Sequence, residues 1–276
     1  MKSPAPLFDP ARIARNKKRA KAGFANHDFL HQRVWQDLLD RIDSINRDFT
    51  HVQLQGELIP ELDTGHGIAQ ALAGNKLTQG TKFATNLDLL VSFMELHTIN
   101  DLPAELVKAR QALKPDGVFL GALFGGETLL ELRRCLLEAE SEITGGAAQR
   151  IIPMLEVRTL GALVQRAGFS LPVIDVDTVV VRYKSLRNLV QDLRYMGERN
   201  PLSGPIRPLS KAIWARVEEL YRQKYANADG LLPARFECLH ICGWAPHDSQ
   251  QKPLAPGSGQ MFLGDALRQV KKPEPT

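Results

Sequence analysis

Apolar residues recur every three to four positions over residues 28–45, where Phe29, Leu30, Val34, Leu38, Leu39 and Ile42 form one stripe, the spacing of an amphipathic helix. Residues 49–55 make a short strand candidate. Residues 87–93 (LDLLVSF) are almost continuously apolar, as expected of a parallel strand covered on both faces. Asn100 and Asp101 cap the next predicted helix, 102–113, and Pro103 suits its first turn. Lys114-Pro115-Asp116-Gly117 reads as a turn, followed at once by a strand over 118–124. After Gly125-Gly126 come helices over 127–143 and 155–167, the second stopped by Gly168. A strand rich in β-branched residues over 173–181, helices over 185–196 and 209–225, and a strand over 235–244 complete the pattern. The tail from Asp248 is rich in Pro, Gly and Gln, with a weakly amphipathic end over 261–270.

Strands alternating with helices at these lengths predict an α/β fold with a mostly parallel sheet. The last strand follows two consecutive helices, which suits an antiparallel edge strand. The expected organisation is a basic arm with N-terminal helices (1–47), an α/β domain (48–247) and a tail (248–276). At 276 residues, 43% hydrophobic and 24% charged, the composition excludes disordered, collagen-like and disulfide-scaffold classes. No apolar run reaches the ~18–20 residues that span a bilayer, and no apolar segment follows the basic start as a secretory signal requires. A soluble intracellular protein is expected.

Charge sharpens this picture locally. The first 50 residues carry ten Lys/Arg against six Asp/Glu, whereas the remaining 226 carry 25 of each. Arg12, Arg15, Lys17, Lys18, Arg19 and Lys21 form a basic run free of acids. It reads either as a solvated strap over the core or as an arm for an acidic protein or a membrane surface. Nucleic acid is not expected, since aromatics and binding motifs are missing. Cys135, Cys238 and Cys242 give no paired framework. On a strand, Cys238, His240 and Cys242 share a face, but the cysteines lie ~13 Å apart, too far for one zinc. They are expected to be a buried sheet face, and no metal site is expected. His27 and His31, at i and i+4, read as surface or cap histidines.

Residues 86–124 (NLDLLVSFMELHTINDLPAELVKARQALKPDGVFLGALF) resemble the fourth strand, helix and fifth strand of class I S-adenosylmethionine-dependent methyltransferases. More narrowly, residues 8–30, 122–133, 163–181, Met196-Gly197-Glu198 and the ending over 252–267 resemble the complex I assembly factor 5 family and its bacterial relatives. The malonyl-carrier-protein methyltransferases of biotin synthesis are similar at greater distance. The resemblance implies a seven-stranded sheet binding S-adenosylmethionine at the carboxyl ends of its first strands. For the assembly-factor branch it implies hydroxylation of an arginine on a respiratory-complex subunit, in a bacterial cytoplasm or a mitochondrial matrix.

The chain departs from that pattern where the cofactor would lie. A glycine-rich loop is needed because only glycine lets backbone approach the ligand closely. Gapless matching puts Gln55-Gly56-Glu57-Leu58-Ile59-Pro60 there, with one glycine; the alternative, around Asp63, Gly65 and Gly67, requires a strand running through Pro60. Only 30 residues separate Gly56 from Leu87, enough for about one crossover where the fold needs three. The sheet is therefore expected to lack at least one βα unit on this side. Ser92, Glu95 and His97 fall at the carboxyl end of the fourth family strand, either as pocket remnants or as capping and packing groups. Gly125, Gly126 and Glu127, with Arg133 beyond them, are candidates for a partner or substrate side, where a helix start could receive an anion, or else form a hinge with an ordinary helix cap. Two functions remain open: a non-catalytic, protein-binding relative with a degenerate S-adenosylmethionine site, and an active S-adenosylmethionine enzyme modifying a protein arginine or a small carboxylate.

Overall fold

The computed structural model describes residues 5–61, 82–205, 208–251 and 258. Its strands are β1 (Val52–Gln55), β2 (Leu87–Phe93), β3 (Leu113–Phe124), β4 (Ser170–Tyr183) and β5 (Leu232–Trp244). They form one sheet in the order β1-β2-β3-β5-β4. β1 pairs with β2 and β2 with β3 in parallel, while β5 runs antiparallel to both β3 and β4. Four strands therefore share one direction. The expected antiparallel strand is β5, and it lies one place in from the edge because β4 flanks it outside.

Seven α-helices occur among the described residues: α1 (Pro10–Ala20), α2 (Phe29–Ser44), α3 (Leu102–Ala112), α4 (Leu130–Thr144), α5 (Val157–Arg166), α6 (Leu186–Tyr195) and α7 (Lys211–Tyr225). All seven residues of β2 are buried, because the sheet is covered on both faces. Leu89, Val91 and Phe93 join one core with α2, α4, α6 and α7. Leu87 and Leu90 join the other with α3 and α5. The chain divides into the units Met1–Pro246 and His247–Thr276, and these elements all belong to the first.

Two boundaries differ from the sequence reading. Lys114-Pro115-Asp116-Gly117 does not separate helix from strand: β3 begins at Leu113, and the four residues bulge between the pairs Leu87↔Leu113 and Leu89↔Val118. Asp116 takes φ +62° in this bulge, and Arg47 binds its carboxylate. The helix expected from Glu127 begins only at Leu130, after Leu129 at φ +56°. The intervening residues follow β5 instead, with Gly125 N–H donating to Glu237 O at 2.8 Å and Leu129 N–H to Arg235 O at 2.8 Å.

β1 and β2 are direct neighbours although distant in sequence. Among the described residues no strand lies beyond β1, and residues 62–81 fall outside them. Asp63, Gly65 and Gly67 are among those residues.

Candidate functional site

Parallel strands direct their carboxyl ends to one side of the sheet, where open α/β folds bind ligands. Here that side carries a cluster of ionisable side chains drawn from four places. Gln55 ends β1 opposite Ser92 of β2. Glu95 follows β2 and accepts a hydrogen bond from Glu57 N–H at 3.0 Å, and its other oxygen meets the ammonium of Lys17 from α1. His97 Nε2 lies 3.0 Å from Glu198 Oε2. His31 of α2 stands beside them, edge-on to Phe24 and Phe93 at 5.0 and 5.8 Å.

Burial sets the electrostatics. His31 is 1% exposed, and burial lowers its pKa to about 4; Glu198 opposes the shift, while His97 and Lys17 add to it. The expected surface or cap position is thus wrong for His31: it is a core residue among aromatic rings. Glu198 is pushed up by burial but ends below its ordinary value, because His97 beside it, then His31 and Lys17, favour the carboxylate. Ser92 Oγ, His31 Nδ1 and His97 Nδ1 are buried without a hydrogen-bond partner among the described residues.

The loop after β1 is the test for S-adenosylmethionine. A Cβ at Gly56 would sit 3.1 Å from the Phe93 carbonyl oxygen, so glycine serves the approach of the loop to β2. Leu58 and Pro60 turn inward and are buried, Leu58 packing with Ala20 and Phe24. Leu58 Cδ1 would stand 2.6 Å from a Cβ at Gly197, so it reaches the turn after α6. The Glu57 amide is held by Glu95. Bare backbone with free amides is what an adenosyl ligand needs, and the described loop offers side chains and an engaged amide instead. Asp63, Gly65 and Gly67, the alternative placement of this loop, lie outside the described residues.

The glycine pair has a comparable fate. Gly125 and Gly126 donate to Glu237 O and Leu155 O, and Thr128 N–H to Gly125 O, so of the two readings, an open helix start for an anion or a hinge, these engaged amides do not fit the first. Glu127 pairs with Arg235. Arg133 is half-buried, which lowers its pKa, and reaches the Ile152 carbonyl at 3.4 Å.

The basic run divides by face. Asn16, Lys17 and Ala20 are buried, while Arg15, Lys18 and Arg19 are exposed. Arg12 donates to the carbonyls of Leu202 and Gly204, and Lys21 lies 4.0 Å from Glu57. It is a strap on one side and a free cationic face on the other. At β5, Cys238 and His240 are buried and Cys242 half-buried, as expected of a sheet face. Burial pushes the Cys238 thiol up to about 12 and lowers the pKa of His240. No group of metal-ligating side chains forms among the described residues.

Sequence reasoning did not place Glu198 or His31 in this site. The usable signal for Glu198 was its position just past Gly197, which takes φ +83° and turns the chain back toward β2.

No family model matches the chain. Arginine-hydroxylase NDUFAF5, mitochondrial, of Rattus norvegicus is 36% identical over 87% of this chain and 77% of its own length. The Danio rerio protein of the same name is 34% identical over 94% and 89%. A malonyl-[acyl-carrier protein] O-methyltransferase of Xylella fastidiosa is 28% identical over 87% and 89%. With a relative this similar along most of both chains, and with the sheet described above, the chain belongs to the NDUFAF5 family within the class I S-adenosylmethionine-dependent methyltransferases.

Proposed function

We propose that this protein keeps the fold and partner-facing surfaces of its family, has a degenerate S-adenosylmethionine site, and acts as a protein-binding assembly factor for a respiratory complex. The observation that carries the reading is the loop after β1, where Leu58 and Pro60 are buried and Glu95 engages the Glu57 amide. The partner is a respiratory-complex subunit, met in the cytoplasm of a bacterium or a mitochondrial matrix. The exposed face of α1 offers contact with an acidic protein or a membrane surface. No helix among the described residues is long and apolar enough to cross a membrane.

Calorimetric titration of the full chain with S-adenosylmethionine tests the cofactor half. No heat and no rise in melting temperature are expected; a real site at a hundredfold excess over Kd would add about 2.7 kcal/mol of stability. Saturable binding overturns the reading. Deleting the protein from its own cell tests the other half: assembled complex I should fall, and an unchanged amount refutes the assembly role.

The second reading, an active S-adenosylmethionine enzyme modifying a protein arginine, is favoured by the His97–Glu198 pair at the carboxyl side of the sheet. Positive titration together with modification of the partner's arginine would select it.

A further inference from the structure

A cavity of about 690 Å³ opens between α1, α4, α6 and the segment after α6, within the range of small-molecule sites. Its floor is apolar and belongs to the core: Phe124, Leu132, Leu136 and Phe236 line it, each with 3% or less of its surface exposed. A slender chain can reach such residues, whereas the face of a folded partner cannot.

The rim is cationic. Arg15 and Arg19 of α1, Arg194 of α6 and Arg199 just beyond it converge there. All four are exposed, and none meets an acidic side chain among the described residues. Partial burial and the charges of Arg194, Arg19 and Arg15 hold Arg199 below the usual guanidinium range. Two other arginines in the lining are committed elsewhere: Arg12 to the Leu202 and Gly204 carbonyls, Arg150 to Glu140. Glu198, also in the lining, is engaged by His97. Like charges gathered without counter-charges repel one another, and guanidiniums present paired donors that match carboxylate and phosphate oxygens.

We propose that this cavity binds an amphipathic anion, with one alkyl chain in the apolar interior and a carboxylate or phosphate head among Arg15, Arg19, Arg194 and Arg199. The site stands whether or not S-adenosylmethionine binds.

The test titrates the full chain with dodecanoate, dodecyl phosphate, dodecyltrimethylammonium and acetate, by calorimetry and by the fluorescence of Trp214, which lies in the wall. At least one dodecyl anion should saturate a single site, and the tighter of the two identifies the head as carboxylate or phosphate. The cation shares the tail and acetate shares the charge, yet neither should bind. Replacing the exposed pair, Arg194→Gln with Arg199→Gln, should weaken binding about tenfold or more at low salt, with a smaller loss at high salt. Circular dichroism confirms that this variant folds. Equal binding of the cationic amphiphile, affinity untouched by the arginine replacements, or no saturable binding of either dodecyl anion would each overturn the proposal.

Discussion

His31 is neutral in the folded protein near neutral pH, because its ring is buried among Phe24 and Phe93 and titrates only at about 4. An unfolded imidazole takes its proton near pH 6.5, so below that pH the unfolded chain binds more protons than the folded one. Stability therefore falls on acidification from about pH 6.5 to about pH 4, by roughly 3 kcal/mol from this group. Glu198 acts in the same direction lower down: its depressed pKa contributes stability above the unfolded carboxylate value and loses it as pH falls further. His31→Phe should flatten the decline between about pH 6.5 and pH 4.5, measured by urea midpoints at several pH values. An unaltered slope would assign the decline to other groups. Glu198→Ala leaves the buried His97 Nε2 without its partner and should cost about 1–3 kcal/mol, with Glu198→Gln costing less because it keeps a hydrogen bond.

Elements in this chain are bounded by local chemistry, but pairing decides how the boundary is used. Asp101 caps α3 by accepting from Ala104 N–H at 3.0 Å, as its residue type and place foretold, and Ser210 caps α7, which begins two residues past the start expected for that helix, through Ile213 N–H at 3.2 Å. Lys114-Pro115-Asp116-Gly117 is as strong a turn signal as any in the chain, yet β3 runs through it, because Leu113 already pairs with Leu87. Gly117 is the residue that permits this bulge: a Cβ there would lie 2.8 Å from the Leu87 carbonyl oxygen and 2.9 Å from that of Lys114. Both neighbours are backbone, so neither can turn aside. Gly117→Ala should destabilise by about 1–3 kcal/mol, read from the denaturation midpoint. Gly146→Ala, where a Cβ would meet nothing within 4 Å, should stay within about 0.5 kcal/mol of the wild type.

For the molecule as a whole, α1 ties the N-terminal residues to the carboxyl side of the sheet. The tie runs through Lys17 to Glu95, and through Ala20 to Leu58. Lys17→Met keeps the length of the side chain but leaves Glu95 without its cation. Hydrogen exchange should then quicken in α1 and at the Glu57 amide, while β2 and β3, closed on both faces, keep their protection. Equal exchange in the two proteins would mean that α1 is held by its apolar contacts alone. The legible part of the fold was the part with a strong period or a strong cap, namely β2, α2, α3 and α7. The site was half legible. Glu95 and His97 follow a strand whose end was clear, whereas their partners Lys17 and Glu198 come from 78 and 101 residues away.

The sequence alone determined the alternation of strands and helices, the two-sided burial of β2, the shared face of Cys238, His240 and Cys242, and the family. Each follows from patterns within a few residues or from motifs that stay together along the chain. Only the tertiary structure decided that α1 reaches the ends of β1 and β2, that His31 is a core residue, and that four arginines from two distant segments surround one cavity. Burial and long-range charge pairing depend on which segments meet in space, and no local period encodes that meeting.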